Sequence, residues 1–171
     1  MLKPQDIAVL LKLMTLPERH APYGRLAADL EMSPSEVHAA LKRAIRSRLA
    51  RKHGDSVRPI PANLREFLVH GLSYAFPAEL GGLTRGVLTS YAASPLKARI
   101  RAGDEPPPVW PDPEGAAKGM AFSPLYKNAS RAARKDAKLH ELLALVDALR
   151  GGRARERELA IGELDERLGT G

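Results

Sequence analysis

The feature that most constrains this chain is the punctuation around Ser33. A short helical pattern from Tyr23 to Leu30, with Leu26 and Leu30 on its inner face, gives way to the polar break Glu31-Met32. Ser33-Pro34-Ser35-Glu36 then opens a new helix. Ser33 and Glu36 have the spacing of a capping box, in which each side chain satisfies the other's free backbone N–H, and Pro34 falls at N1, where its missing N–H costs nothing. Val37, Leu41, Ala44 and Ile45 follow at helical spacing, with Leu49 beyond.

The flanking segments extend the pattern. Pro4 starts a first helix in which Ile7, Leu10, Leu11 and Met14 recur at helical spacing, and Pro17 ends it. Downstream, Leu49-Ala50-Arg51-Lys52 and Ser56-Val57-Arg58-Pro59-Ile60 flank His53-Gly54-Asp55, which predicts a small hairpin. Asn63 is the expected cap of a fourth helix, Leu64 to His70.

Helix, short helix, tight turn, capped helix and basic hairpin follow one another in the order of a winged helix-turn-helix. The stretch Leu26-Ala27-Ala28-Asp29-Leu30-Glu31-Met32-Ser33-Pro34-Ser35-Glu36-Val37-His38-Ala39-Ala40-Leu41-Lys42-Arg43 resembles bacterial winged-helix regulators broadly related to the MarR group. The resemblance covers less than half of the chain. It departs from the family at Arg48, where a glycine ordinarily precedes the first wing strand. It implies a DNA-binding domain whose third helix, residues 34–47, enters the major groove while the hairpin lies on the backbone.

Subtracting the apolar face of the third helix leaves its candidate contacts. Ser35, His38 and Ala39 are expected to face base edges, with Ala39 placed for a thymine methyl. Lys42, Arg43 and Arg46, together with Arg51 and Lys52 on the hairpin, are expected to hold phosphates. Residues 42–58 carry seven basic side chains against one acidic one, Asp55, in a chain of net charge +7. Most of the excess charge therefore adjoins the helix that the pattern nominates, which favours a polyanionic partner.

Other chemistry finds little footing. No cysteine is present, which excludes disulfides and thiolate catalysis. None of His20, His38, His53, His70 and His140 has a metal-ligand spacing, and His140-Glu141 lacks the second histidine of a zinc-hydrolase motif. Gly81-Gly82-Leu83-Thr84-Arg85-Gly86 has no lysine and hydroxyl residue after it, so it is not a phosphate-binding loop. The expectation is a non-enzyme without metal or cofactor. No apolar run is long enough to span a bilayer, and Asp6 and Lys12 interrupt the N-terminal one, so a cytoplasmic protein is expected.

The expected fold class is mainly α with a small β-hairpin, in three parts. Residues 1–73 form the DNA-binding domain. Residues 74–128, rich in Gly and Pro, form an irregular segment whose proline run extends as a polyproline-like linker with Trp110 pinned on a surface. Residues 129–171 form C-terminal helices, either a helical hairpin or one bent helix. Leu139, Leu142, Leu143, Val146 and Leu149, then Leu159, Ile161, Leu164 and Leu168, either pack on the protein's own core or make a homodimer or partner contact. A repressor on double-stranded DNA is the leading expectation. The alternatives are an antitoxin-type regulator that binds a partner protein through its C-terminal part, and an interaction adaptor built on a winged-helix scaffold.

Overall fold

A computed structural model covers all 171 residues. Helix α1 (Pro4–Met14) is buried on every side from Asp6 to Met14, because α3 packs on one flank and α7 on another. Its apolar positions thus exceed the single stripe read from Ile7, Leu10, Leu11 and Met14, as a helix in the middle of a core requires. Helix α2 (Tyr23–Leu30) ends at Glu31, which takes the left-handed conformation at φ 55 and ψ 48. Helix α3 (Pro34–Arg46) begins with the expected reciprocal cap. Glu36 N–H donates to Ser33 Oγ at 3.1 Å, and Ser33 N–H donates to Glu36 Oε2 at 2.7 Å.

Strands β1 (Ala50–His53) and β2 (Ser56–Pro59) form an antiparallel hairpin that turns at Gly54, where φ is +63. Arg48 occupies the left-handed region at φ 62, so the chain enters β1 through a conformation that glycine adopts more cheaply. Helix α4 (Pro61–His70) starts earlier than its expected cap. Ile60 is the N-cap and Pro61 sits in the first turn, while Asn63 Nδ2 donates to the Arg48 carbonyl at 2.8 Å. Asn63 therefore fastens the hairpin entry rather than the helix end. The single turn α5 (Leu72–Ala75) follows.

The middle segment is not irregular. Strands β3 (Leu80–Leu88), β4 (Pro108–Pro111) and β5 (Ala117–Phe122) pair with one another in all three combinations, β3 antiparallel to both partners and β4 parallel to β5. So tight a closure brings backbones nearly into contact. A Cβ on Gly86 would collide with the Trp110 carbonyl, and one on Gly119 with the Pro107 carbonyl. Trp110 is 1% exposed and lies inside the protein, which corrects its expected place on a surface. The fold is consequently mixed α/β, with eight helices and two small sheets.

Helices α6 (Ala129–Arg134), α7 (Ala137–Gly151) and α8 (Ala154–Leu168) complete the chain. Gly152, extended at φ −77 and ψ 160, separates α7 from α8, so they are two helices rather than one bent rod. Leu139, Leu142, Leu143, Val146, Leu149, Leu164 and Leu168 are all buried in one hydrophobic cluster with Ile7, Leu10, Val37 and Leu64. The C-terminal leucines thus pack on the protein's own core, and that core runs through all three compositional parts.

Polar groups inside this core tie the parts together. Asp147 on α7 is 1% exposed. Its Oδ2 accepts from Thr89 Oγ1 and Trp110 Nε1, each at 2.7 Å, and its Oδ1 accepts from Arg150 Nη1 at 2.9 Å. Burial pushes the Asp147 carboxyl up, and the Arg150 charge with these donors opposes the push. Arg150 also donates to the carbonyls of Phe76 and Ser123, and His140 Nε2 lies 2.8 Å from the Leu88 carbonyl. The small sheet is thereby keyed onto α7.

Candidate nucleic-acid interface

Positions 35, 38, 39, 42 and 46 fall on one stripe of α3 at spacings of three, four and seven. Ser35, His38, Lys42 and Arg46 are exposed there and Ala39 is half-buried, while Val37, Ala40, Leu41 and Ala44 face the core. The Ser35 hydroxyl lies 3.1 Å from that of Ser33, which links it to the cap. The His38 ring stands edge-on to Tyr23 with centroids 5.3 Å apart, so the first residue of α2 steadies it. The Glu36 carboxyl is spent on the cap. The backbone and hydroxyl of Ser33 hold it below the usual carboxylate range, and Lys127 adds to this.

The hairpin folds beside this stripe. A shallow groove between the two is lined by residues that include Tyr23, His38, Lys42, Lys52, Asp55 and Val57. Three of the expected contacts, His38, Lys42 and Lys52, therefore share one groove, with Arg46 exposed at the far end of α3 and Arg51 exposed on β1.

Arg43 does not belong to this surface. Its Nε and Nη2 each donate to the Asp6 carboxylate at 2.8 Å, and Asp6 is fully buried in α1. These bonds raise the affinity of Arg43 for its proton. Arg43 thus braces α3 against α1 and is turned away from a phosphate. Its flank of α3 meets the one acid in an apolar helix, a long-range match with no local trace.

Arg58 joins the surface in its place. The strand register sets Arg51 directly opposite Arg58. Like charges facing each other across an antiparallel pair repel. Arg58 Nε is buried and has no hydrogen-bond partner. Arg51 and Arg58 thus bring two positive charges to facing positions on the hairpin. The alternation of the hairpin carried this signal, since residues paired across a two-strand turn share a face.

No group of three or more His, Asp or Glu side chains converges as a metal-binding set, and no helix is long and apolar enough to cross a membrane. Leu80, Leu83 and Met120 on the three-stranded sheet are exposed. Comparison with protein-family models, with curated proteins and with solved structures finds no match to this chain.

Proposed function

We infer that this protein is a sequence-specific double-stranded DNA-binding regulator of transcription, acting as a repressor, that lays α3 in the major groove. The observation that carries this reading is the continuous exposed surface made by one stripe of α3 and the hairpin, whose basic side chains outnumber the one acid, Asp55, that lines their groove. Ser35, His38 and Ala39 lie toward the N-terminal half of α3 and read base edges. Lys42, Arg46, Arg51, Lys52 and Arg58 hold phosphates and set the register. Arg43 supports α3 from behind. A palindromic operator would engage two copies, through surfaces other than the leucines of α7 and α8, which the core already uses.

The test is a titration of a fluorescent duplex at several KCl concentrations. Releasing counterions from Z phosphates gives a slope of roughly −0.9Z in log affinity against log salt. Lys42→Ala, Arg46→Ala and Lys52→Ala should each flatten the slope by about one. Slopes unchanged in all three variants would remove this surface from the reading.

A further inference from the structure

Residues 127–138 carry five basic side chains, Lys127, Arg131, Arg134, Lys135 and Lys138, and one acidic one, Asp136. Arg134 pairs outside the run with Glu114 at 3.0 Å and Asp112 at 3.5 Å, and Asp136 does not neutralise the other four. Its carboxylate takes Lys12 Nζ at 2.6 Å and caps α7 by accepting from Leu139 N–H at 3.1 Å. This basic run covers α6 and the start of α7, in the C-terminal helical part of the chain.

The fold sets the run against the turn that precedes α3. Tyr126 Oη donates to the Leu30 carbonyl at 3.0 Å, and Asn128 Nδ2 donates to the Glu31 carbonyl at 2.8 Å. Both bonds satisfy carbonyls freed at the end of α2, so α6 is fixed to the turn rather than merely near it. Beside them, Arg131 Nε lies 3.1 Å and Lys135 Nζ 3.7 Å from the same Glu31 carboxylate. Two cations share one anion and leave a net positive charge. Their side chains remain 60% and 55% exposed. Lys127 is exposed and close enough to the first turn of α3 to act on the Glu36 carboxyl. The hairpin leaves the C-terminal end of α3, and the N-cap of α6, Asn128, is bonded to the turn before its N-terminal end. The thirteen residues of α3 span roughly 20 Å at 1.5 Å per residue.

We propose that Lys127, Arg131 and Lys135 form a second duplex-phosphate contact, so that basic surfaces grip the DNA backbone at both ends of α3. The proposal rests on the reading of α3 as a duplex-binding helix. It gives the C-terminal helices a part in DNA binding, with Glu31 as the group that restrains it. Glu31 repels phosphate and occupies two of the three cations.

The experiment uses the full chain and a fluorescent duplex of mixed sequence, about 30 base pairs long, between about 50 and 200 mM KCl. The double variant Lys127→Ala/Lys135→Ala should flatten the salt slope by about two, and Lys127→Arg/Lys135→Arg should restore it. Glu31→Gln should steepen the slope by about one, an effect that a purely structural role for this ion pair would not produce. Lys97→Ala/Arg101→Ala removes the same charge elsewhere and should leave the slope unchanged. Loss of slope in Lys42→Ala and Lys52→Ala with none in Lys127→Ala/Lys135→Ala would overturn the second contact and leave the first. No change in any of these variants would overturn both. Melting curves of each variant separate unfolding from lost contact.

Discussion

Arg43 and Asp6 meet through two parallel 2.8 Å bonds, from Nε to Oδ2 and from Nη2 to Oδ1, and this pair joins the central helix α1 to the exposed helix α3. Asp6 also accepts from Lys3 N–H at 2.8 Å and so closes the first turn of α1. Removing Arg43 would leave a fully buried carboxylate without its cation. Arg43→Ala should lower stability by about 3 kcal/mol, read as a lower urea midpoint, while the salt slope for duplex binding stays that of the unmodified protein. A variant of normal stability with a flattened slope would return Arg43 to the phosphate-binding set.

Arg48 holds a left-handed conformation without a glycine's freedom. The steric cost for an ordinary side chain there is about 1–2 kcal/mol, offset in part by the larger unfolded-state entropy of glycine. Arg48→Gly should therefore raise the urea midpoint by the equivalent of about 0.5–1 kcal/mol with an unchanged m-value. A lowered midpoint would show that the Arg48 side chain contributes more than its backbone costs.

Trp110 is the single tryptophan, 1% exposed, and its indole N–H donates to buried Asp147. Its fluorescence should be that of a water-excluded indole and should shift to the red on unfolding. Trp110→Phe keeps an aromatic ring but withdraws a donor from a buried carboxylate, at a cost of about 2–3 kcal/mol. Asp147→Ala strands Thr89, Trp110 and Arg150 together and should cost more, about 3–5 kcal/mol. Equal costs in thermal melts would mean that packing, rather than the polar junction, fixes the sheet on α7.

Acid should destabilise the protein through its paired carboxylates. Arg65 Nε donates to Asp165 at 2.7 Å, and that bond, with the Thr170 hydroxyl, holds the Asp165 carboxyl below its usual 3.8. Asp112, Asp136 and Glu163 are likewise depressed. A carboxyl more acidic in the folded state contributes stability above its unfolded value, and loses it as pH falls through the folded value. The stability these four carboxyls contribute should thus hold from neutral pH down to about pH 4 and fall below it, while the raised Asp147 acts with the opposite sign. Asp165→Asn should lower the neutral-pH melting temperature and make the acid limb shallower. An identical acid limb would exclude this pair as a contributor.

The contrast between Ser33 and Trp110 shows what a sequence carries on its face. Ser33, Pro34 and Glu36 act on backbone groups within three residues, so their spacing alone locates the start of α3, and Gly54 marks the hairpin turn in the same way. Trp110 and Asp147 are 37 residues apart, and Lys12 and Asp136 are 124 apart. Nothing in either neighbourhood announces its partner. The small sheet was hidden for a related reason. Its prolines and glycines read as loop residues, yet Gly86 and Gly119 are the positions where three backbones approach too closely for a Cβ. The exposed stripe of α3 was legible by subtraction from its apolar face. The duties of Arg43 and Arg58 depended on a distant helix and on strand register, which subtraction does not supply.

The measurement that bears most directly on the account is selection of duplexes from a random pool by the purified protein at physiological salt, followed by sequencing. The expected result is a recovered motif whose preference relaxes at individual base pairs in Ser35→Ala and His38→Ala, by about 1–3 kcal/mol per contact, and is kept in Lys52→Ala at lower overall affinity. A pool no more enriched than its input would contradict the reading of α3 as a helix that distinguishes bases.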